Sequence, residues 1–191
     1  MVTAAKINKF WLEDVEPKAW YSVDPELDAE ITDRFLEARN AAVAGALDHW
    51  KSTAEGSLAL LILIDQFSRN MFRGDPRSFE GDAKAREIAR EAIYNRQDLE
   101  VSQPGRSFFY LPFMHSETLA DQDFGIDIQR QRNATEDDLL HAHAHREIIA
   151  EFGRFPFRNK ALGRETTPAE EVFLEEGGYG AIVRKLQSQV G

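Results

Sequence analysis

The segment Leu58-Ala-Leu-Leu-Ile-Leu-Ile64 places an apolar side chain at each of seven consecutive positions and runs directly into Asp65-Gln66-Phe67-Ser68-Arg69-Asn70. Read as a helix, it is apolar on all sides, so it cannot lie on a surface and has to be enclosed by other elements. Spanning a bilayer takes about 20 such residues, so a buried core helix is the expected role. The polar end carries a second constraint. A charge left unpaired in such surroundings costs several kcal/mol, so Asp65 and Arg69 need partners nearby.

The rest of the chain supplies helices to wrap this one. Asp24-Pro25 is an N-cap followed by proline, and Leu27, Ile31, Phe35, Ala38, Ala42, Leu47 and Trp50 recur at helical spacing, which predicts a helix to about Trp50. Thr53 caps the apolar helix. Gly74-Asp75-Pro76 breaks the chain before an amphipathic helix over roughly 79–95, and Gln103-Pro104-Gly105 is the next break. Pro112 is expected in the first turn of a helix running toward Arg130. Thr135 opens a helix to Gly153, Thr167-Pro168-Ala-Glu170 is a capping box for a short helix through Leu174, and Gly177-Gly178 separates it from a last helix over about 181–187. No strand pair stands out, and no linker is long enough to separate distinct domains. The expectation is an all-α chain of about seven to nine helices, folded as one domain over 1–191.

The chain has no cysteine, which excludes disulfides, thiolate nucleophiles and cysteine-ligated metals. Lys6 and Lys9 interrupt any apolar run near the start, which argues against a secretory leader and for a cytoplasmic protein. A net charge of −10 opposes nucleic-acid binding, and no membrane partner is expected. No phosphate-binding glycine loop, dinucleotide fingerprint or nucleophile elbow occurs, and no cofactor is expected.

Four segments carry the candidate chemistry. In the first, Asp65 and Arg69 share a helical face, as do Gln66 and Asn70; this can be an ion pair with amide contacts at a helix end, or the floor of a polar pocket. The second holds Arg106, His115 and Glu117, with Gln122 beyond; on one continuous helix His115, Leu119 and Gln122 would share a face and Glu117 would lie off it. The third is His141-Ala-His143-Ala-His145. His141 and His145 have the spacing of two zinc ligands, but no metal-site glutamate follows His141, and no metal is expected. His143 points the other way, toward solvent. In the fourth, residues 153–164, four cations (Arg154, Arg158, Lys160 and Arg164) stand with Asn159 and without any acid. Arginines there suit bidentate binding of carboxylate or phosphate, or the capping of free helix carbonyls.

Leu63-Ile-Asp-Gln-Phe-Ser-Arg-Asn70 with Arg73-Gly74, Arg106-Ser-Phe-Phe-Tyr-Leu-Pro112 with His115-Ser-Glu117, and Phe152-Gly-Arg-Phe-Pro156 with Arg158-Asn159 and Leu162-Gly-Arg164 together resemble a mainly bacterial family known as domain of unknown function 924. The resemblance covers nearly the whole chain. It implies an array of antiparallel helix hairpins of tetratricopeptide-like fold, and no particular activity. The motif residues fall on Asp65, Gln66, Arg69, Asn70, Asp82, Arg106, His115, Glu117, His145, Arg154, Arg158, Asn159 and Arg164. In one departure, Phe157 follows the proline where the family pattern has histidine.

Two functions follow as expectations. In one, a polar pocket binds a small anionic ligand, with Asp65, His115, Glu117 and His145 available for cofactor-free acid–base or hydrolytic chemistry. Gln66, Arg69, Asn70, Arg106, Arg154, Arg158, Asn159 and Arg164 would hold the ligand. In the other, a tetratricopeptide-like module binds a peptide without catalysis. Neither the sequence nor the resemblance decides whether the protein is an enzyme or how it oligomerises.

Overall fold

A computed structural model describes residues 2–190 of the chain, and among these residues there is no β-strand. The fold is all-α. The chain divides into two compact units, Met1–Pro112 and Phe113–Gly191. The boundary falls within a short helix, Leu111–Met114, so the polypeptide passes from one unit to the next without a linker.

The N-terminal unit is built around the apolar run. Helix α1 (Ala4–Lys9) continues through one π-helical turn, Phe10–Asp14; α2 spans Pro25–Val43, and α3 spans Ala54–Leu61. The backbone of α3 passes without a break through a second π-helical turn, Ile62–Phe67, into α4 (Ser68–Met71). Every residue from Gly56 to Ser68 is buried. Helices α1 and α5 (Asp82–Tyr94) pack on α3, while α2 packs on the π-turn and α4. Enclosure of the run is therefore what the surrounding helices accomplish. Phe10, Trp11, Phe35 and Phe67 interlock beneath it, with Trp11 and Phe67 edge to face at 5.3 Å.

The first long helix stops earlier than apolar spacing predicts. It ends at Val43, where Gly45 takes a left-handed φ of +87°. Ala46 N–H donates to the Ala41 carbonyl and Gly45 N–H to the Ala42 carbonyl, the paired bonds of a Schellman stop. Leu47 and Trp50 keep their helical spacing but belong to a separate 3-10 segment and its lead-in. The N-terminal helix α1 has no counterpart among the sequence-based expectations.

In the C-terminal unit, α6 (Leu111–Met114) stops before His115, and α7 begins only at Leu119 and runs to Gln131. The expected single helix from Pro112 toward Arg130 is thus two, because Thr118 caps α7 by accepting from Asp121 N–H. Residues 115–118 are a bend, so His115 and Glu117 are not placed by helical phase at all. The capping signals at Thr135 and Thr167 act where expected, opening α8 (Glu136–Phe152) and α9 (Pro168–Glu175), each with a complete capping box. Helix α10 (Gly178–Val190) begins three residues earlier than its apolar pattern suggests. Phe113, Ile126, Ile128, Ala142 and Ala144 are buried in this unit, and Ile148, Ile149, Phe155 and Phe173 form a further apolar cluster with Phe152, Tyr179 and Ile182 packed against it. No helix among the described residues is long and apolar enough to cross a membrane.

Gly56 tests how tightly α3 is enclosed. A Cβ there would stand 2.1 Å from the Trp50 carbonyl oxygen, a backbone atom that cannot move without shifting the 3-10 segment. Gly56→Ala is expected to destabilise the protein by about 1–3 kcal/mol, against the usual gain from glycine replacement in a helix, as read by urea unfolding.

Candidate functional site

The residues singled out in the sequence fall into two groups, one in each unit. In the N-terminal unit, the π-turn and α4 carry Asp65, Gln66, Arg69 and Asn70. Arg69 reaches Asp65 Oδ1 at 3.0 Å and donates from Nη1 to the Asp65 carbonyl. Its Nη2 donates to both oxygens of Asp82, at 3.0 and 3.1 Å. Gln66 donates to Asn70 Oδ1 at 2.9 Å and to the Trp20 carbonyl. Asn70 in turn donates to Asp28, which Arg73 also grips with two nitrogens. The expected i,i+4 pairings are present, and their outer partners, Asp28 and Asp82, anchor the buried helix to α2 and α5. Arg106 donates from Nε to the Val101 carbonyl.

In the C-terminal unit, the bend at 115–118 is pinned by Gln122. Its side-chain amide donates to the carbonyls of Met114 and Ser116 at 2.8 and 2.7 Å. This fixes Glu117, which accepts both outer nitrogens of Arg164 at 2.7 and 3.0 Å and also the Phe155 backbone N–H at 2.9 Å. Burial alone would push Glu117 up. The Arg164 fork, the Phe155 N–H and the nearby Arg158 charge outweigh it, so the carboxyl lies below its ordinary value.

Arg164 continues the chain of contacts by donating from Nε to Asn159 Oδ1 at 3.0 Å. Asn159 donates to Glu170 Oε2 at 3.2 Å, and Glu170 accepts a fork from Arg154 at 2.6 and 2.8 Å. Glu170 closes the α9 capping box as well, accepting from Thr167 N–H. The Arg154 fork, with the Thr167 bonds, holds it at about 2. Three expected ligand-binding residues, Arg154, Asn159 and Arg164, and the expected catalytic Glu117 therefore form one internal ladder with Glu170. Nothing in the sequence beyond its place in a capping box marked Glu170 for this, because its arginine partner lies 16 residues away.

Arg158 and His145 contact the Phe155 ring, and His115 meets both. Arg158 Nη2 donates to the His115 carbonyl at 3.0 Å, and the guanidinium sits 4.5 Å over the Phe155 ring. The His115 and His145 rings are 6.2 Å apart and nearly perpendicular. His145 also meets Phe155 edge-on at 5.7 Å and Tyr179 at 4.8 Å. His145 Nδ1 lies 2.8 Å from the His141 carbonyl, which can only accept. The ring proton is therefore on Nδ1, and Nε2 carries the lone pair. Burial, reinforced by electrostatic repulsion from His115 and Arg158, pushes His145 down to about 3, so it is neutral across the physiological range.

His143, expected to be solvated, is half-buried and lies 3.0 Å from Arg130 Nη2. Burial and the charges of Arg130 and Arg146 lower it. Among the described residues no group of three or more histidines and carboxylates is arranged to hold a metal ion.

An all-helical chain with partly buried arginine–carboxylate ladders and a histidine cluster is the class these features define. The chain belongs to a family of bacterial proteins of unknown function, DUF924, whose model matches residues 7–178. It is similar to the solved structure of the protein of unknown function ATU0120 from Agrobacterium tumefaciens, with 45% sequence identity, 91% of this chain and 97% of that chain covered, and a TM-score of 0.86. No curated protein matches it.

Two outcomes check the ladder. Glu170 contributes stability that is complete above its ordinary value of 4.5 and is lost as the pH falls toward about 2. Glu170→Gln should remove that share, so its stability should fall less steeply than that of the natural protein between those limits, measured by urea unfolding at each pH. Separately, a double-mutant cycle with Glu117→Gln and Arg164→Gln should give a coupling energy of about 1–3 kcal/mol, whereas independent residues would give less than about 0.5 kcal/mol.

Proposed function

We propose that the C-terminal unit binds a small anionic ligand, a carboxylate or phosphate, at His115, His145 and Arg158. In this reading the Glu117–Arg164–Asn159–Glu170–Arg154 ladder is the frame that holds the site. The observation that carries it is the gathering of two imidazoles and the Arg158 guanidinium at Phe155. His115 and Arg158 both bear on the half-buried imidazole and oppose its protonation. A bound anion relieves that opposition and gains a hydrogen-bond donor when His145 takes up a proton. The charges of Glu117 and Glu170 are met by Arg164 and Arg154, so they oppose an anion less than isolated carboxylates would.

Acid–base catalysis by His145 alone is poorly supported. An imidazole at about 3 is a weak base near neutral pH, and effective general bases sit close to the working pH. Recognition coupled to proton uptake suits the geometry better.

A second reading, peptide binding by a tetratricopeptide-like module, draws on three apolar side chains left at the surface of this unit. Phe157 is 46% exposed and stacked on Phe155, while Val172 is 52% and Leu174 38% exposed. Such a surface would select apolar peptide residues and be indifferent to phosphate.

The test is calorimetric titration with inorganic phosphate and with citrate near pH 6.5 in buffers of different ionisation enthalpy. Binding with net proton uptake is expected. His145→Gln is expected to abolish the uptake and weaken binding about tenfold, or about 1.4 kcal/mol, with the circular dichroism unchanged. Absence of binding by either anion, or binding unaltered in the variant, would sink the proposal.

A further inference from the structure

Three side chains on α8 and α10 line up beside the histidine pair. Asp137 Oδ1 lies 3.8 Å from His141 Nε2, and His141 Nδ1 lies 2.5 Å from the Tyr179 hydroxyl. Asp137 and His141 are one helical turn apart on α8. The imidazole and phenol rings are stacked, 5.9 Å apart and 17° from parallel. If the phenol donates to Nδ1, the ring proton sits on Nε2, where Asp137 at 3.8 Å makes a charge contact rather than a hydrogen bond. Carboxylate, imidazole and hydroxyl then stand in the order that activates a hydroxyl nucleophile.

The chain is shaped to bring Tyr179 there. Gly177 and Gly178 adopt successive left-handed φ values of +104° and +53°, a pair that L side chains rarely accept. This turn starts α10 so that Tyr179 falls in its first turn, and Ile182, one turn on, packs against the core. Tyr179 is only half-buried, and its ring touches His145.

We infer that Asp137, His141 and Tyr179 form a hydroxyl-activating relay, with Tyr179 as a nucleophile toward activated acyl or sulfonyl electrophiles. The inference stands on residues other than those proposed to bind an anion and does not require that binding. In the step, the phenol oxygen forms a bond to the electrophilic carbon or sulfur. The leaving group departs with its bonding pair, and the phenol proton passes to His141 Nδ1. Asp137 then faces an imidazolium. Asp137 is well exposed, with 78% of its side chain accessible, so solvent screens its share. His141 and Asp137 are positioning residues, acting through Tyr179.

The protein provides its own reference, because Tyr94 is 87% and Tyr21 66% exposed. Labelling of the full chain with an aryl sulfonyl fluoride, mapped by mass spectrometry over time, should modify Tyr179 about tenfold faster than Tyr94, despite its lower exposure. His141→Gln keeps an oxygen that can accept from the phenol but removes the base. It should bring Tyr179 down to or below the rate of Tyr94, with a smaller loss in Asp137→Asn. Slower labelling of Tyr179 than of Tyr94 in the natural protein overturns the inference, as does an unchanged Tyr179 rate in His141→Gln. Should the variant fail to fold, the ratio in the natural protein decides alone.

Discussion

The C-terminal unit depends on the fork between Arg164 and Glu117. Of residues 153–167 only Phe155 joins its buried apolar cluster with Ile148, Ile149 and Phe173, which leaves much of that segment's ordering to polar contacts. Arg164 grips a carboxylate from the 115–118 bend, the Phe155 carbonyl and the Asn159 amide at once. Glu117 holds Phe155 through its backbone N–H. Phe155 is the wall against which Arg158, Phe157 and His145 are arranged. Removing one partner would leave a half-buried charge facing another segment, a far larger loss than a surface pair would give.

The two units satisfy the same constraint in different ways. In the N-terminal unit a fully apolar helix ends in a polar face, and its polar groups are met within two turns or by the adjoining helices, Arg69 by Asp65 and Asp82 and Asn70 by Asp28. In the C-terminal unit the partners come from far along the chain, Glu117 and Arg164 being 47 positions apart. Arginine therefore serves mostly as a connector here. Its planar fork meets a carboxylate with two parallel bonds while its outer edges still reach backbone carbonyls.

How much of this could be read in advance follows from distance along the chain. The Asp65–Arg69 and Gln66–Asn70 pairs, the cap at Thr135, the capping box at Thr167 and the burial of Leu58–Ile64 are local, set by helical period and cap chemistry, and they stood out in the sequence. Glu170 as the partner of Arg154, and Tyr179 as the partner of His141, could not be read there, because no local pattern brings them together. The break at residues 115–118 was hidden for another reason. The apolar spacing on either side continues in phase, and only the weak cap at Thr118 interrupts it. Helical phase accordingly put His115 and Glu117 on a helix that does not exist, although both lie in the segment that matters.

What sets the histidine cluster apart is that its central member is held neutral by its surroundings while one ring nitrogen is already committed to the His141 carbonyl. Nitrogen-15 NMR of histidine-labelled protein reads this directly. His145 is predicted to remain the neutral Nδ1–H tautomer from about pH 8 down to about pH 5, without the titration expected of ordinary histidine near 6.5. A His145 that titrates close to 6.5, or that carries its proton on Nε2, would contradict the account.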